Sequence, residues 1–471
     1  MSNLWSASRL VGRVLVCAPI LSALITSVCA QTNAPAQTLA GEVDKYLQTA
    51  TDSGLFMGAV LILRDGKVIV NKGYGMANLE YAIPNTPRSR FNIASVSKTF
   101  TAAMILMLQE RGKLNIQDPI CRYLNDCPEG WREITIRHLL THSSGIVNYT
   151  DLPDQFEQRA LISFLPNALK RIREMPLQFK PGEKFSYSST GYKLLYDIIE
   201  KASGQSYESF LKENILDPLQ MKDTGVLVRP GIRQLIVRDR AAGYTDGVGP
   251  LENAPWVYPS YAGGAGLYAT VADLGRWGEA WLANKVLREQ TKAAAWTGNK
   301  GNYGLGWFIF DRPRHRFVMH GGNIPGYGLT FAIYPDDKMI VVVASNLDTA
   351  PTSRIHDDLV KIVLGEKYEP LPVWKTASVN PKLYDSFVGR YQNTTEAKFI
   401  ITVTKENDQL WNRLGDDPGA ATMVLRPLSE TRYYNKMFVL YEVNFVKNEQ
   451  GKVISLTAEG PWGKNEFKKI E

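Results

Sequence analysis

The chain of 471 residues has only four cysteines, and it carries no long run of lysine or arginine, no internal repeat and no low-complexity tract. Without a basic run, nucleic acid is not indicated as a partner, and the formal net charge of +7 is modest for this length. Beyond the N-terminus no segment is long and apolar enough to cross a membrane. With 21% charged residues and ordinary apolar content, disorder is not the default reading either. The length exceeds one ordinary domain, so two domains and a large core are expected.

Acid is missing from the first thirty residues. They hold Arg9 and Arg13, then an apolar run from Val14 to Val28, and they end Val28-Cys29-Ala30 before Gln31. That pattern predicts a secretory signal peptide over residues 1–30. The mature protein is then secreted or periplasmic, with no stable membrane span after cleavage and a charge of 7 − 2 = +5. The alternative is an N-terminal anchor that stays. Val28 is bulky where a lipid-anchoring site at Cys29 would need a small residue. Cleavage removes Cys17 and Cys29 and leaves Cys121 and Cys127 in "CRYLNDC". An oxidising compartment permits a short-loop disulfide there; two free buried thiols are the alternative. No redox or metal motif surrounds them.

"MGAVLILRDGKVIVNKGYG" (Met57 to Gly75) reads as a hairpin, because two β-rich runs flank the turn signal Asp65-Gly66. After Asn92 the period becomes helical: Val96, Phe100, Ala103, Met104, Met107 and Leu108 recur on one face, with Gly112 as the stop. "TGYKLLYDIIEKASG", "TVADLGRWGEAWLAN" and "TSRIHDDLVKIVLG" are further helices. "HRFVMH", "GYGLTFAIYP" and "KMIVVVASN" read as three strands, the last two joined through Pro335-Asp336-Asp337. The expectation is an α+β fold, with one interrupted antiparallel sheet flanked by helices and a helical subdomain. "EKYEPLPVWKTASVNPK" (Glu366 to Lys382) has three prolines and no periodicity, so it reads as a linker. Short, regularly spaced strands follow and suggest a small all-β barrel or sandwich. The expected division is 1–30 signal peptide, 31–366 first domain, 367–381 linker and 382–471 β-barrel.

Ser95 and Lys98 sit three residues apart at the start of the helix in "FNIASVSKTFTAAMILML", and so on one face. A lysine among apolar side chains has a lowered pKa. A neutral amine beside a hydroxyl can take its proton and make the serine a nucleophile. The N–H groups of the helix start offer a place for an oxyanion. A second Ser-x-x-Lys, Ser209 to Lys212, lies mid-helix among surface residues and reads as chance. His138 and His142, at i and i+4, have a metal-pair spacing but no third ligand or nearby Glu motif, so no metal is expected. "APWVYPSY" (Ala254 to Tyr261) lines a cleft or packs a loop, and "AGGAG" (Ala262 to Gly266) lacks the setting of a nucleotide loop.

"FNIASVSKTFTA", "ITIRHLLTHSSGI", "PGEKFSYSSTGYKLLYDIIEKASG", "ILDPLQMKDTG", "AGGAGLYATVADLGRW", "YGLGW" and "HGGNIPGY" occur in this order. Together, over about residues 40–365, they resemble the serine β-lactamase and penicillin-binding-protein superfamily. The nearest branch is the class C β-lactamases, DD-peptidases, D-aminopeptidases and related esterases. "LYDSFVGRYQN" resembles the start of the lipocalin-like domain appended to some members. The resemblance implies that Ser95 is the acylated nucleophile and Lys98 the lysine of the first motif. It implies that Tyr187 of "YSS" is the tyrosine of the second motif, Tyr-x-Asn, which beside a lysine can hold a phenolate or relay the proton, so either Lys98 or Tyr187 can be the principal base. Ser189 replaces that motif's asparagine, which binds substrate amide and lysine; serine is shorter, so one of those contacts is lost or bridged by water. His320-Gly321-Gly322 stands where Lys-Thr-Gly is usual, as in some DD-peptidases, aminopeptidases and esterases. Gly322 would keep the strand edge open to substrate. The N–H groups of Asn323 and Ser95 would form an oxyanion hole. His320, neutral or partly charged, would anchor a carboxylate less well than lysine.

These residues imply an exported serine hydrolase acting through an acyl-enzyme on a small molecule or short peptide, without metal or organic cofactor. D-Ala-type peptidase and esterase both fit; β-lactamase fits least. The second class of reading is a non-catalytic protein that binds peptidoglycan fragments or another ligand. The oligomeric state is not legible.

Overall fold

The computed structural model describes residues 34–153, 161, 163–227, 235–246, 251–255, 263–312, 315–415, 422–436, 440–460 and 463–470. The expected leader, residues 1–30, lies outside them.

Six antiparallel strands form the central sheet: β1 (Gly58–Arg64), β2 (Lys67–Tyr74), β3 (Phe308–Arg312), β4 (His315–Ile324), β5 (Tyr327–Tyr334) and β6 (Met339–Ser345). Their order is β3-β4-β5-β6-β1-β2. The β1–β2 hairpin turns at Asp65 and Gly66, with φ of 50° and 70°. Two successive positive φ values are what a two-residue turn needs to match the strand twist. β1 then pairs with β6, Gly58 opposite Ser345 and Arg64 opposite Met339. The N-terminal hairpin and the late strands therefore make one sheet, as the pattern predicts. β3 was not among the expected strands. It is a five-residue edge strand, too short for its alternation to stand out.

Helices cover both faces of the sheet. Val60 and Ile62 of β1 pack with Val43 and Leu47 of the Ala34–Asp52 helix and Leu359 of the Thr352–Leu364 helix. Leu61 and Leu63 face the other way, into a core shared with Phe100 and Trp277. Burial on both faces explains why "AVLIL" is a continuous apolar run rather than an alternating one. The Ser97–Glu110 helix is buried from Ser97 to Leu108, and it is apolar nearly all round for that reason. The Ser189–Ser203 helix ends at Gly204, whose φ of 72° gives the left-handed C-cap that its glycine predicts. Cys121 and Cys127 are bridged, with Cα atoms 5.3 Å apart.

No regular element spans residues 366–380, and a short 3-10 turn follows at Pro381–Ser386. Eight strands between Gly389 and Lys469 then close an antiparallel barrel, Tyr391 of the first strand lying opposite Lys469 of the last. Tyr391, Tyr433, Phe445, Leu456 and Phe467 fill its interior, so it is packed with side chains. The barrel touches the first domain through charge. Asp246, its side chain 4% exposed, accepts from Arg426 at 2.5 Å and also meets Lys436. Leu440 joins the core beneath the Ala34–Asp52 helix.

Candidate active site

The site starts at a sharp turn after Phe91-Asn92. The Asn92 Oδ1 accepts from the Ala94 N–H at 2.9 Å, and Ala94 holds a φ of 45°, a strained value for an L-residue other than glycine. A 3-10 turn at Ala94–Val96 runs directly into the Ser97–Glu110 helix. Ala94 and Val96 are buried, while Ser95 between them is partly exposed. Its N–H lies in the first turn, where amides have no intrahelical partner.

Lys98, one turn on, is 0% exposed. Its Nζ is 3.1 Å from Ser95 Oγ, 2.9 Å from the Gly264 carbonyl and 3.4 Å from Ser189 Oγ. The rings of Tyr187 and Tyr192 lie 4.9 and 5.5 Å from it. Burial lowers its pKa from the usual 10.5 to about 7. Near neutral pH the amine is thus neutral in a large fraction of molecules and can accept the Ser95 proton.

Tyr187 precedes the Ser189–Ser203 helix, which Ser188 caps by accepting from the Gly191 N–H at 3.4 Å. The Tyr187 hydroxyl shares a hydrogen bond with Ser95, and burial raises its pKa well above the ordinary phenol value. It is a neutral phenol that can relay a proton, not a standing phenolate. Ser189 still reaches Lys98, but at 3.4 Å the bond is long, in keeping with a side chain shorter than asparagine. Its N–H donates to Asn148 Oδ1 at 3.0 Å.

His320 on β4 is 1% exposed. Its Nδ1 is 2.6 Å from the Gly321 carbonyl, which can only accept, so Nδ1 carries the proton and Nε2 accepts from the Tyr303 hydroxyl at 3.0 Å. Burial first, then Lys98, pushes its pKa down to about 3. Of the two expected states, neutral or partly charged, the buried ring takes the neutral one. Gly322 sits against the turn that carries Ser95. A Cβ there would lie 2.4 Å from the Ile93 carbonyl oxygen, so the glycine lets β4 lie against the Ser95 turn. β3 stops opposite Met319, and His320 to Ile324 pair with β5 alone. Asn323 lies on that half of β4, its side chain donating to the Asp348 carbonyl at 3.2 Å.

Ser95, Lys98, Tyr187, Ser189, His320 and Gly322 thus converge, although they come from three separate parts of the chain. Sequence reasoning overlooked Gly264, whose carbonyl holds Lys98, and Tyr192 and Tyr303, which wall the pocket. All three lie inside the motifs "AGGAGLYATVADLGRW", "YSSTGYKLLYDIIEKASG" and "YGLGW", which were the available signal. Ser209 and Lys212 stay apart in use: Ser206 donates to Ser209, and Lys212 pairs with Asp217 at 2.5 Å. His138 closes a capping box with Thr135. Among the described residues no three His, Cys, Asp or Glu side chains cluster as a metal site. Most of the aromatic stretch 254–261, from 256 on, lies outside the described residues.

The sequence profile of the family described as Beta-lactamase matches residues 43–365. Penicillin-binding protein 4* of Bacillus subtilis (strain 168) is 30% identical over 441 residues, covering 86% of this chain and 94% of that protein. The teichoic acid D-alanine hydrolase of Staphylococcus aureus is 29% identical over 331 residues, covering 68% of this chain and 77% of its own. Among solved structures, the octameric penicillin-binding protein homologue from Pyrococcus abyssi superposes with a TM-score of 0.63 at 25% identity, over 90% of this chain and 99% of that one. The D-amino acid amidase from Ochrobactrum anthropi SV3, complexed with D-phenylalanine, shares the fold with a TM-score of 0.60 at 22% identity, over 70% of this chain and 98% of that one.

Proposed function

The chain belongs to the β-lactamase family of serine hydrolases, and from that premise we propose that it is an exported enzyme that cleaves D-aminoacyl esters or amides through an acyl-enzyme on Ser95. The observation that carries this is the 3.1 Å contact between Ser95 Oγ and a Lys98 whose pKa is about 7. Lys98 is the base, because a neutral amine is accessible near neutral pH and a Tyr187 phenolate is not. Ser95 Oγ attacks the carbonyl carbon while its proton passes to Lys98 Nζ. The N–H groups of Ser95 and Asn323 hold the oxyanion. Lys98 returns the proton through the Tyr187 hydroxyl to the leaving group, the C–O or C–N bond breaks, and water releases the acyl group by the reverse order of steps.

The neutral His320 supports a leaving group without a free carboxylate. Lys98 is engaged by Ser95, so neither side chain offers a spare cation. The names of the D-alanine hydrolase and the D-amino acid amidase support a D-configured acyl part. Penicillins carry a carboxylate, so β-lactamase activity is weak at most. The apolar N-terminal run supports export. Residues 31–366 form the hydrolase domain, 367–381 the linker and 382–471 the barrel.

The test is intact-protein mass and product release with three substrates: D-alanine methyl ester, D-alanyl-D-alanine peptide and a penicillin, each beside Ser95→Ala. Turnover of the ester, lost in the variant, is expected. Faster cleavage of the carboxylate-bearing peptide would replace the ester reading with the peptidase one. The long Ser189 contact favours a second reading, a ligand-binding protein without turnover. No adduct and no turnover with any of the three would select it.

A further inference from the structure

His142 takes no part in the proton path, yet it grips both sides of the residue that does. Its backbone carbonyl accepts from the Ser186 N–H at 2.8 Å. Its imidazole Nδ1 accepts from the Ser188 N–H at 3.1 Å. These are the two amides flanking Tyr187. The imidazole also lies against the Tyr187 ring, centroids 4.2 Å apart and planes at 38°. We propose that His142 is a positioning residue that holds the Tyr187 hydroxyl against Ser95. The inference rests on the serine-hydrolase reading of the site.

Two features mark this as a constrained placement and not ordinary core packing. His142 has a φ of 52°, a backbone conformation few side chains tolerate. It is 1% exposed, and its Nε2 has no hydrogen-bond partner among the described residues. A buried imidazole with an unmet donor is costly, and a hydrophobic residue would avoid that cost. What a hydrophobic residue lacks is an acceptor for Ser188. Because Nδ1 accepts, the neutral ring carries its proton on Nε2. Protonation would put a second N–H where the Ser188 N–H donates, and it would break the clamp. The groups around the ring oppose it. Burial opposes it first and Lys98 next, His320 is itself neutral, and Tyr187, Tyr192, Tyr303 and Phe185 pack around the ring without supplying a carboxylate.

Asparagine tests the idea. Its Oδ1 reproduces the Nδ1 acceptor, and it tolerates positive φ, but it cannot stack. Acylation rates per titrated Ser95 should be measured with a neutral activated ester for the wild type, His142→Ala and His142→Asn, beside Ser95→Ala. His142→Ala should lower kcat about 10- to 100-fold with KM within about twofold, since binding is left intact and proton transfer is misaligned. His142→Asn should recover most of the loss. Equal kcat in all three would overturn the proposal, as would a loss in His142→Ala that Asn does not restore. A wild type that is not acylated at all would sink the hydrolase reading as well. If His142→Ala does not fold, 15N-histidine spectra of the wild type decide. The inference needs a neutral His142 protonated on Nε2; a proton on Nδ1 near neutral pH refutes it.

Discussion

Lowering the pH should switch this enzyme off through one side chain. Lys98 is the base only when neutral, and burial brings its pKa to about 7. A base of that pKa is about nine-tenths neutral at about pH 8 and about one-tenth neutral at about pH 6, so kcat/KM should fall about tenfold between them. Below that, the slope should be about tenfold per unit. The other titratable groups of the site do not share this window. His320 is held down to about 3, His142 well below its ordinary value by burial, and Tyr187 is pushed upward. A single limb near neutrality is therefore assigned to Lys98 by elimination. The assay is the pH profile of kcat/KM for an uncharged activated ester, with buffer hydrolysis subtracted and Ser95→Ala as background. Because the free enzyme is read in kcat/KM, substrate binding does not move the limb. A limb above about pH 9 would mean that Lys98 keeps an ordinary amine pKa and that burial does not neutralise it. A profile flat from about pH 5 to 8 would remove Lys98 as the base altogether.

Three further outcomes follow from the same geometry. The Lys98 pKa is lowered on folding from 10.5 to about 7, a penalty of about 5 kcal/mol that is fully present below the folded pKa and fades as pH rises toward the unfolded one. Lys98→Met removes the penalty but leaves the Gly264 carbonyl without its donor, which costs about 1–3 kcal/mol, so the variant should be inactive yet about 2–4 kcal/mol more stable at neutral pH by denaturant titration. Gly322→Ala puts a methyl 2.4 Å from the Ile93 oxygen; it should push β4 off the Ser95 turn, cost about 1–3 kcal/mol and slow acylation at least tenfold in a burst assay, where roughly wild-type rates would show that the approach is unimportant. Asp246→Ala removes the buried carboxylate that Arg426 and Lys436 meet at the barrel contact; we expect a loss of about 2 kcal/mol and a calorimetric transition that splits in two, whereas an unchanged single transition would mean that this contact does not couple the barrel to the first domain.

The local features were legible because each is set within a few residues. Asp65-Gly66 specifies a two-residue turn by its positive φ values, and Gly204 ends its helix by the same freedom. The spacing of Ser95 and Lys98 places both on one helical turn, and the apolar residues behind them announce burial. Ordered motifs then named Tyr187, Ser189 and His320 as members of one site before any coordinate did.

What tertiary structure alone decided is how those groups are charged and what holds them. A sequence cannot state that Lys98 is fully buried against the carbonyl of residue 264, and its pKa follows from that burial. Nor can it state that His320 gives its Nε2 to Tyr303 and is walled off, which turns an expected weak anchor into a neutral one. Gly322 was visible as a glycine, but only the Ile93 oxygen 2.4 Å from its absent Cβ gives the reason for it. His142 looked like half of a spurious metal pair until the fold brought it against Tyr187. Spacing along the chain determines which side chains can share a turn; desolvation and contacts between distant segments determine their protonation, and here protonation separates a base from a buried cation.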